Sequence, residues 1–278
     1  MRVSVRKAAG LAAALALSAV VLVGCGDDNP GGSGHTHSWG DWSVTTPATC
    51  DAPGLEIKYC TLDNSHFETQ TIAQLTGSSC AAVSTFTDSR DGQTYSAVTI
   101  GTQTWMAENL NYNASGSACY NNAPDSCAKY GRLYNWATVM DGASSSESSP
   151  SGVQGVCPVG WHVPSDAEWE TLVKYVDPNA SGNYDNNAGT KLRSKSGWNN
   201  NGNGTDDYGF SALPGGGGYG GVFGSAGDYG NWLCATENAA SLAWYRYMSY
   251  YYDDVGRDSY GKTFLFSLRC LRDSAAPQ

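Results

Sequence analysis

The run CPVGWHVPSDAEWETL, residues 157–172, contains side chains that catalysis uses and side chains that begin helices. A cysteine, a histidine and three carboxylates lie within this short stretch. Ser165 and Glu168 also have the spacing of a capping box, in which each side chain accepts a hydrogen bond from the other residue's backbone N–H. The stretch is therefore either a catalytic cluster or the structural start of a helix, and the fold class depends on which it is.

The residues that follow favour a helix start. Asp166 and Glu168 would lie in the first turn, where the helix dipole favours negative charge. A single apolar stripe recurs at helical spacing: Trp169, Leu172, Val173 and Val176. No serine or cysteine nucleophile is evidently paired with His162. We therefore interpret the cluster as structural and expect no catalytic residue; a catalytic role for His162 is the alternative.

Composition and charge limit the function classes. Of the 278 residues, 34 are glycine, 12% are aromatic and 15% are charged, which is typical of a loop-rich fold rather than of a helical cytosolic protein. The formal net charge is −10, and the basic residues do not cluster. These features argue against nucleic acid as a partner and against adhesion to anionic lipid through a basic patch.

Residues 1–25 have the pattern of an export signal. Basic residues near the amino terminus precede an apolar run over 8–23. The run is shorter than a typical transmembrane helix. The run ends in LVGC at 22–25, which resembles the lipobox of bacterial lipoproteins. It predicts that residues 1–24 are a lipoprotein signal peptide and that Cys25, acylated with chains such as palmitate, becomes the first residue. The alternative is an ordinary secretory signal with a chance cysteine.

The segment after the lipobox is polar and rich in glycine, so we interpret residues 25–34 as a flexible tether. Asp27 and Asp28 follow the cysteine closely, which resembles the surface-export signals of some Gram-negative lipoproteins. We therefore expect a lipid-anchored protein of the outer membrane, exposed at the cell surface, with the membrane as a partner through its anchor. Without residues 1–24, which hold three basic residues and no acidic one, the net charge is −13.

Export places the other eight cysteines in an oxidising compartment, where disulfide formation is the default. We expect Cys119–Cys127 as a small-loop bridge and Cys157–Cys270 as a long one. Three of the eight fall in a small N-terminal module and five in a larger one, so either a bridge crosses between the modules or each keeps a free thiol. We expect a crossing bridge from Cys80. The remaining cysteines are Cys50, Cys60 and Cys234.

Residues 35–82 form the first predicted module. Polar and β-favouring residues alternate between the turn signals PATC, DAPG and LDNS, which predicts three or four short strands. The module resembles a small repeat of bacterial surface proteins with paired tryptophans and a PATC turn, and we interpret it as a spacer. The alternative is a zinc site, although the spacing differs from the usual zinc motifs. Its ligands would be His35, His37, Cys50, Cys60 and His66.

Residues 83–273 form the second predicted module. The runs TYSAVTI and TQTWMAENL predict a hairpin with its turn at Gly101. Helical periodicity predicts a helix near 127–141, with Asp125 or Ser126 as its cap, and the capping box begins a second helix. Three later runs predict strands: NWLCATE, LAWYRYMSYYY and KTFLFSLRCLRD.

The strand LAWYRYMSYYY carries aromatic residues on both faces, more than one core needs. Alternation places Trp244 with Arg246 and Met248 on one face, and Tyr245 with Tyr247 on the other. Exposed rings beside Asn and Asp suit carbohydrate, because sugar C–H faces stack on rings while hydroxyls bond to polar groups; aromatic core packing is the alternative. The candidate ligand-binding residues are Tyr219, Tyr229, Trp232, Trp244, Tyr245, Tyr247 and Tyr251, and Tyr260 is a further ring expected to be exposed.

The loop over 199–207 has the first ligand positions of a calcium loop. The last position, which takes a bidentate glutamate in an EF-hand, is Phe210, so the segment is not an EF-hand. One hypothesis is that the loop binds calcium in another geometry. The alternative is that it is a plain cluster of Asn/Gly turns. Its candidate ligands are Asn199, Asn201, Asn203, Asp206 and Asp207. We expect no other cofactor, since the glycine-rich segment 214–231 lacks the strand–GxGxxG–helix context of a nucleotide site.

The second module resembles the Fibrobacter succinogenes major paralogous domain family over residues 88–273. The resemblance is carried by seven motifs in the same order: DGQTYSAVTIGTQTWMAENLNY, CAKYGRLYNWATVM, CPVGWHVPSDAEWETL, KLRSKSGW, NGTDDYGFSALPGG, WLCATE and SLRCLRD. That family occurs on exported proteins and lipoproteins, and its closing half is similar to the C-type-lectin-like fold shared with formylglycine-generating enzymes. The resemblance implies an α+β fold, with two helices beside small antiparallel sheets and long loops that carry the function.

Functional hypotheses from different classes follow. The first is a surface-anchored, C-type-lectin-like binding module for polysaccharide or another extracellular ligand, such as a surface protein. The second is an oxidase similar to formylglycine-generating enzyme, which uses a close pair of reactive cysteines on late strands; the late cysteines here are Cys234 and Cys270. Because Cys270 is expected in a bridge, we predict a binding protein without enzymatic activity. A structural scaffold in a surface assembly is a third hypothesis.

Overall fold

The computed structural model describes residues 38–46, 53–62, 64–73, 82–182, 184 and 186–273. The chain divides into two compact units, residues 1–76 and 77–278. Several predictions fall on residues outside the described ranges and stay predictions. They are the signal peptide over 1–24, the lipidated Cys25, the tether over 25–34, and the module residues His35, His37 and Cys50; Cys80 also lies outside the described ranges.

The first unit contains one antiparallel sheet in the order β1-β2-β3. Its strands are β1 (Ser43–Thr46), β2 (Gly54–Tyr59) and β3 (Phe67–Ile72), within the predicted three or four. Lys58 on β2 packs its ammonium against two tryptophans, 4.8 Å from the ring centroid of Trp42 and 5.0 Å from that of Trp39. The same ammonium lies 2.8 Å from the carboxylate of Glu68 on the neighbouring strand. One cation therefore connects the paired tryptophans to the sheet through cation–π contacts and a cross-strand ion pair.

A five-stranded sheet forms the base of the second unit. Its strands are β4 (Ala82–Thr87), β5 (Thr94–Ile100), β6 (Gln103–Met106), β7 (Trp161–His162) and β13 (Leu271–Arg272). The strand order is β4-β5-β6-β13-β7, so the last strand of the chain lies between two earlier ones. β5 and β6 form the predicted hairpin, and Gly101 in its turn has φ of 61°, a conformation that favours glycine.

Four α-helices lie in the described part of the second unit: α1 (Pro124–Tyr130), α2 (Trp136–Met140), α3 (Asp166–Val176) and α4 (Ala188–Leu192). None of these described helices is long and apolar enough to cross a lipid bilayer. The prediction of one helix over 127–141 is wrong. Gly131 ends α1 with φ of 74°, and the side chain of Asn135 caps a new helix. The predicted caps, Asp125 and Ser126, lie inside α1.

α3 begins as the sequence predicts. Ser165 Oγ accepts a hydrogen bond from the Glu168 N–H at 3.2 Å, and the Glu168 carboxylate accepts one from the Ser165 N–H at 2.9 Å. The predicted apolar stripe is buried: Trp169, Leu172, Val173 and Val176. The Glu168 carboxylate also accepts a hydrogen bond from the Ser151 N–H and lies 2.9 Å from Nε2 of His162. The capping box is thus confirmed, and its glutamate also connects the helix to a loop and to β7.

A second antiparallel sheet and a glycine-rich hairpin complete the unit. The sheet contains β10 (Tyr229–Ala239), β11 (Leu242–Ser249) and β12 (Gly256–Gly261), and the hairpin contains β8 (Gly217–Tyr219) and β9 (Val222–Gly224). NWLCATE lies within β10, and β11 covers most of LAWYRYMSYYY, as predicted. KTFLFSLRCLRD is only partly a strand, because just Leu271–Arg272 joins a sheet. Phe266 and Ser267 make isolated bridges to Tyr134 and Trp232 instead.

β10 separates two hydrophobic cores. Trp232 and Cys234 belong to the core that contains the apolar stripe of α3. Leu233 and Ala235, on the opposite face, belong to the core around Cys157 and Cys270. Short helices and small antiparallel sheets packed around these cores make the second unit an α+β fold.

Two disulfides of the second unit are those predicted: Cys119–Cys127 and Cys157–Cys270. The second joins residues 113 positions apart and ties the chain before β7 to the chain before β13. Cys234 forms no disulfide and is fully enclosed in the core. The expected bridge from Cys80 to the large module is therefore wrong, because four of that module's cysteines pair with one another and the fifth is enclosed.

Asp166, the first residue of α3, ties that helix to the second sheet. Its carboxylate accepts hydrogen bonds from Nε of Arg246 at 2.9 Å and Nε of Arg257 at 2.7 Å. The two arginines are cross-strand partners on β11 and β12. Since Arg246 is almost fully buried, the shared carboxylate offsets a like-charge pair that is costly without it.

His162 is buried between two carboxylates. Its Nδ1 lies 2.6 Å from Asp273 and its Nε2 lies 2.9 Å from Glu168. Burial alone lowers the pKa of His162, but hydrogen bonds and charges from Glu168 and then Asp273 outweigh it, so the pKa is raised above 6.5. The His162 ring joins the start of α3 to the residue after β13.

We predict that the fold loses stability as pH rises above 6.5. Because the folded pKa of His162 lies above its unfolded value, the stabilisation is fully present below pH 6.5 and is lost as pH rises through the raised pKa. Urea denaturation from about pH 6 to 9 should show this fall, and His162→Gln should flatten it. An unchanged pH slope in His162→Gln would show that the imidazolium does not stabilise the fold.

Candidate functional site

A groove of about 610 Å³ opens on one face of the second sheet. Strands β10, β11 and β12, the β8–β9 hairpin and the segment 264–266 contribute its lining. The volume is within the range of small-molecule sites, roughly 300 to 1,000 Å³. We call it the aromatic groove, after the side chains that line it together with one amide: Tyr219, Phe223, Tyr229, Asn231, Tyr245, Tyr260, Phe264 and Phe266.

The register of the sheet places the groove side chains on one face. Tyr247 on β11 lies opposite Asn231 on β10, and Tyr245 lies opposite Asp258 on β12. Directly opposite residues of an antiparallel pair point to the same face, so these four side chains share it. The other face carries Trp232 and its neighbours in the core.

A glycine makes room for one of these rings. The ring of Tyr247 lies over Gly256 on β12, where an added Cβ would come within 2.3 Å of the ring carbon Cζ. The backbone of Gly256 is not left-handed, so the position requires space rather than an unusual conformation. The Tyr247 ring centroid lies 5.8 Å from that of Tyr245 and 6.2 Å from that of Tyr229, extending the aromatic surface past the groove lining.

The hairpin side of the groove is also built on ring contacts. Tyr219 on β8 stacks on Phe264, with centroids 4.4 Å apart and planes 13° from parallel. Tyr260 on β12 stands edge-on to Phe264, with centroids 4.3 Å apart. At Gly217 an added Cβ would lie 2.9 Å from the Phe266 ring, so glycine permits the close approach of the hairpin. Tyr219 and Tyr260 keep 54% and 45% of their surface exposed and available to a ligand.

The groove presents neutral hydrogen-bonding groups. None of the described residues that line it carries a charged side chain. Burial, and after it the charge of Asp258, raises the pKa of Tyr245 above 10.0. Burial also raises the pKa of Tyr247. Both hydroxyls therefore stay protonated and can donate as well as accept at physiological pH.

The candidate ligand-binding residues fall into four groups, of which Trp244 alone is the last. Tyr219, Tyr229 and Tyr245 line the aromatic groove, and Tyr247 extends it. The expectation that Trp232 is exposed is wrong: its exposure is 0%, because it lies on the opposite face of β10 from Tyr229 and packs into the core that contains the α3 stripe. Tyr251 is 72% exposed in the turn after β11, outside the groove lining.

Trp244 lies on the opposite face of β11 from Tyr245, as alternation predicts. One side of its ring is covered by the guanidinium of Arg257, whose carbon lies 3.5 Å from the ring centroid. Trp244 and Arg257 line a separate cleft of about 440 Å³ with Asp166 and Glu170. The nearby charges already pair with one another, so Trp244 belongs to a charged cleft rather than to the aromatic groove.

Sequence reasoning missed part of the groove. Phe223, Phe264 and Phe266 were not among the candidates, although Phe264 and Phe266 have the i, i+2 spacing that puts two side chains on one face. Phe223 reaches the groove through the β8–β9 hairpin. Its position follows from the pairing of β8 with β9 across a glycine turn. No spacing of aromatic residues in the sequence predicts that pairing.

The predicted calcium ligands make local contacts instead of converging. Asn199 Nδ2 donates to Asp228, and Asn203 Oδ1 accepts from the Trp198 N–H. Both carboxylate oxygens of Asp206 accept from Ser211, at 2.7 Å each. Asn201 has a left-handed backbone conformation. The Asp207 N–H donates a hydrogen bond to the Lys191 carbonyl. Among the described residues, no group of three or more His, Cys, Asp or Glu side chains is placed to hold a metal ion.

The late cysteines are not arranged as a redox pair. Cys270 is bonded to Cys157, and Cys234 is a fully buried thiol. Burial, and then the charge of Asp166, raises the pKa of Cys234 well above its ordinary value. A buried, protonated thiol is a poor nucleophile, so this geometry offers no activated cysteine at position 234.

We predict that Gly256→Ala displaces the Tyr247 ring and lowers the free energy of unfolding by about 1 to 3 kcal/mol, since overpacking forces shifts of ring and backbone. Gly224→Ala is the matched control, because it adds the same methyl group to a strand glycine with nothing within 4 Å. Urea denaturation of both variants measures the difference. Equal stabilities would mean that Tyr247 does not lie over Gly256.

Comparison with known proteins agrees with the motif order in the second unit. The model of the Fibrobacter succinogenes major domain matches residues 98–272, well over half of the chain. No curated protein and no solved structure matches the chain. The chain belongs to the Fibrobacter succinogenes major domain family.

Proposed function

We propose that this protein is an exported, lipid-anchored surface protein whose aromatic groove binds a saccharide. The observation that carries the proposal is the groove itself, with exposed tyrosine rings, neutral hydroxyls and one amide in a single concave site. Ring faces suit the C–H faces of sugars, and a few placed polar groups fix orientation in such sites. The alternative ligand is a surface protein that contacts the same rings and hydroxyls.

A C-type-lectin-like fold is part of this proposal. The support is the α+β arrangement of short helices and small antiparallel sheets, together with the long segments between them. The groove is built from strands, the β8–β9 hairpin and the segment 264–266, whereas the family resemblance implies that long loops carry the function.

Binding is favoured over the oxidase hypothesis by the state of the late cysteines. An oxidase of that kind needs two reactive thiols close together, whereas Cys270 is in a disulfide and Cys234 is buried as a thiol. The scaffold hypothesis requires no groove, so the concentration of exposed rings in one concave site favours a ligand.

Cell-surface placement is supported by the sequence of residues 1–28, with its apolar run, LVGC tetrapeptide and following aspartates. We predict that Cys25→Ser abolishes incorporation of labelled palmitate and releases the protein from the membrane fraction of expressing Gram-negative cells, because the acylated thiol is lost. Wild-type protein in the same cells is the reference. Palmitate labelling that persists in Cys25→Ser would place the lipid elsewhere.

For binding, we predict that the purified protein is retained on insoluble cellulose, xylan or chitin and that Tyr260→Ala weakens retention about tenfold, a loss of roughly 1.4 kcal/mol. Tyr175→Ala is the matched control, since Tyr175 is 53% exposed on α3 and does not line the groove. Depletion isotherms on each polymer measure the affinities. Failure to bind any polymer, or an equal loss in both variants, contradicts saccharide binding at this groove.

A further inference from the structure

The rings of the groove form a continuous series that is longer than the groove lining. Successive ring centroids are 4.3 to 6.2 Å apart along the series, which we call the aromatic track: Tyr219, Phe264, Tyr260, Tyr245, Tyr247 and Tyr229. It runs from the β8–β9 hairpin across β12 and β11 to the start of β10. A single sugar can cover only part of this surface, whereas a chain of sugars can contact it along its length.

The track is neutral, but its surroundings are negative. Asp258 shares the face of Tyr245 as its cross-strand partner and is exposed. The nearest cations on the same strand and just after it are already held by carboxylates: Arg257 by Asp166 at 2.7 Å, and Lys262 by Glu237 at 2.6 Å. With a net charge of −10 on the whole chain, an anionic ligand meets repulsion here and no unpaired cation in the lining.

We infer that the aromatic track selects an uncharged polysaccharide chain, binding several consecutive sugars and rejecting polymers that carry carboxylates. The inference rests on the proposed function and adds its ligand class. Rejection follows from two costs that a uronate chain meets: its carboxylates lose water without gaining a cationic partner in the lining, and Asp258 repels them. Neutral chains meet neither cost.

The test compares polymers that share a backbone and differ in their carboxylate content. Affinities of the purified protein are measured for cellulose and its C6-oxidised form, and for unsubstituted xylan and glucuronoxylan. We expect the neutral member of each pair to bind at least about tenfold more tightly. We also expect affinity to rise from the disaccharide to the hexasaccharide of the preferred neutral backbone, because the longer chain reaches more rings.

A pair of charge variants separates local from overall repulsion. Asp258→Lys should lower the ratio of the affinity for the neutral polymer to the affinity for the acidic polymer to about threefold or less, since the added cation lies beside the track. Asp91→Lys makes the same change in net charge at an exposed residue of the β4–β5 turn and should leave the ratio unchanged.

The outcomes separate this inference from the proposed function. Binding that depends on Tyr260 but shows equal or greater affinity for the acidic polymers overturns the inference and leaves saccharide binding intact. Equal affinity for the disaccharide and the hexasaccharide also overturns it. Absence of binding to every polymer overturns both proposals.

Discussion

The alternation of side chains along β11 is the constraint on which the candidate site depends. Met248 packs into the core that contains the α3 stripe, and Arg246 is held at the start of α3. These contacts fix which face of the strand points inward. Tyr245 and Tyr247 must then point to the opposite face, where they join the aromatic groove. A slip of one residue in register would exchange the two faces and dismantle both the core and the groove.

The contacts that hold this register converge on the first turn of α3. Glu168 caps the helix and lies against His162 on β7, while Asp166 holds the cross-strand arginines of β11 and β12. The Cys157–Cys270 disulfide joins the chain before β7 to the chain before β13. The stretch over 157–172 contains side chains of the kinds that catalysis uses, but here it positions the two sheets around one helix. Its histidine and carboxylates are used for folding, and the exposed rings lie elsewhere.

Local patterns in the sequence predicted the elements whose signals are themselves local. The capping box, the β5–β6 hairpin, the Cys119–Cys127 bridge and the faces of β11 follow from spacing within short runs. The Cys157–Cys270 bridge was expected as a long one between the start of a helix and the last strand. Other elements that depend on distant partners were missed. Helical periodicity over 127–141 hid the break at Gly131. The β-favouring residues over 262–273 form only one short strand, because residues 265–267 bridge to three separate segments instead of pairing along one strand. Alternation indicates which side chains share a face of β10, but it does not indicate which face another element covers. The sequence alone therefore does not show that Trp232 is buried.

The most direct test of a saccharide-binding groove is to locate a bound chain on the protein. Tyrosine rings labelled for NMR can be followed while the purified protein is titrated with a soluble hexasaccharide of a neutral β-linked backbone. The account predicts shifts at Tyr219, Tyr245, Tyr247 and Tyr260, with Tyr175 and Tyr251 unchanged. Shifts confined to Tyr251 and its neighbours, or the absence of any shift at saturating ligand, would contradict the assignment of the aromatic groove as the binding site.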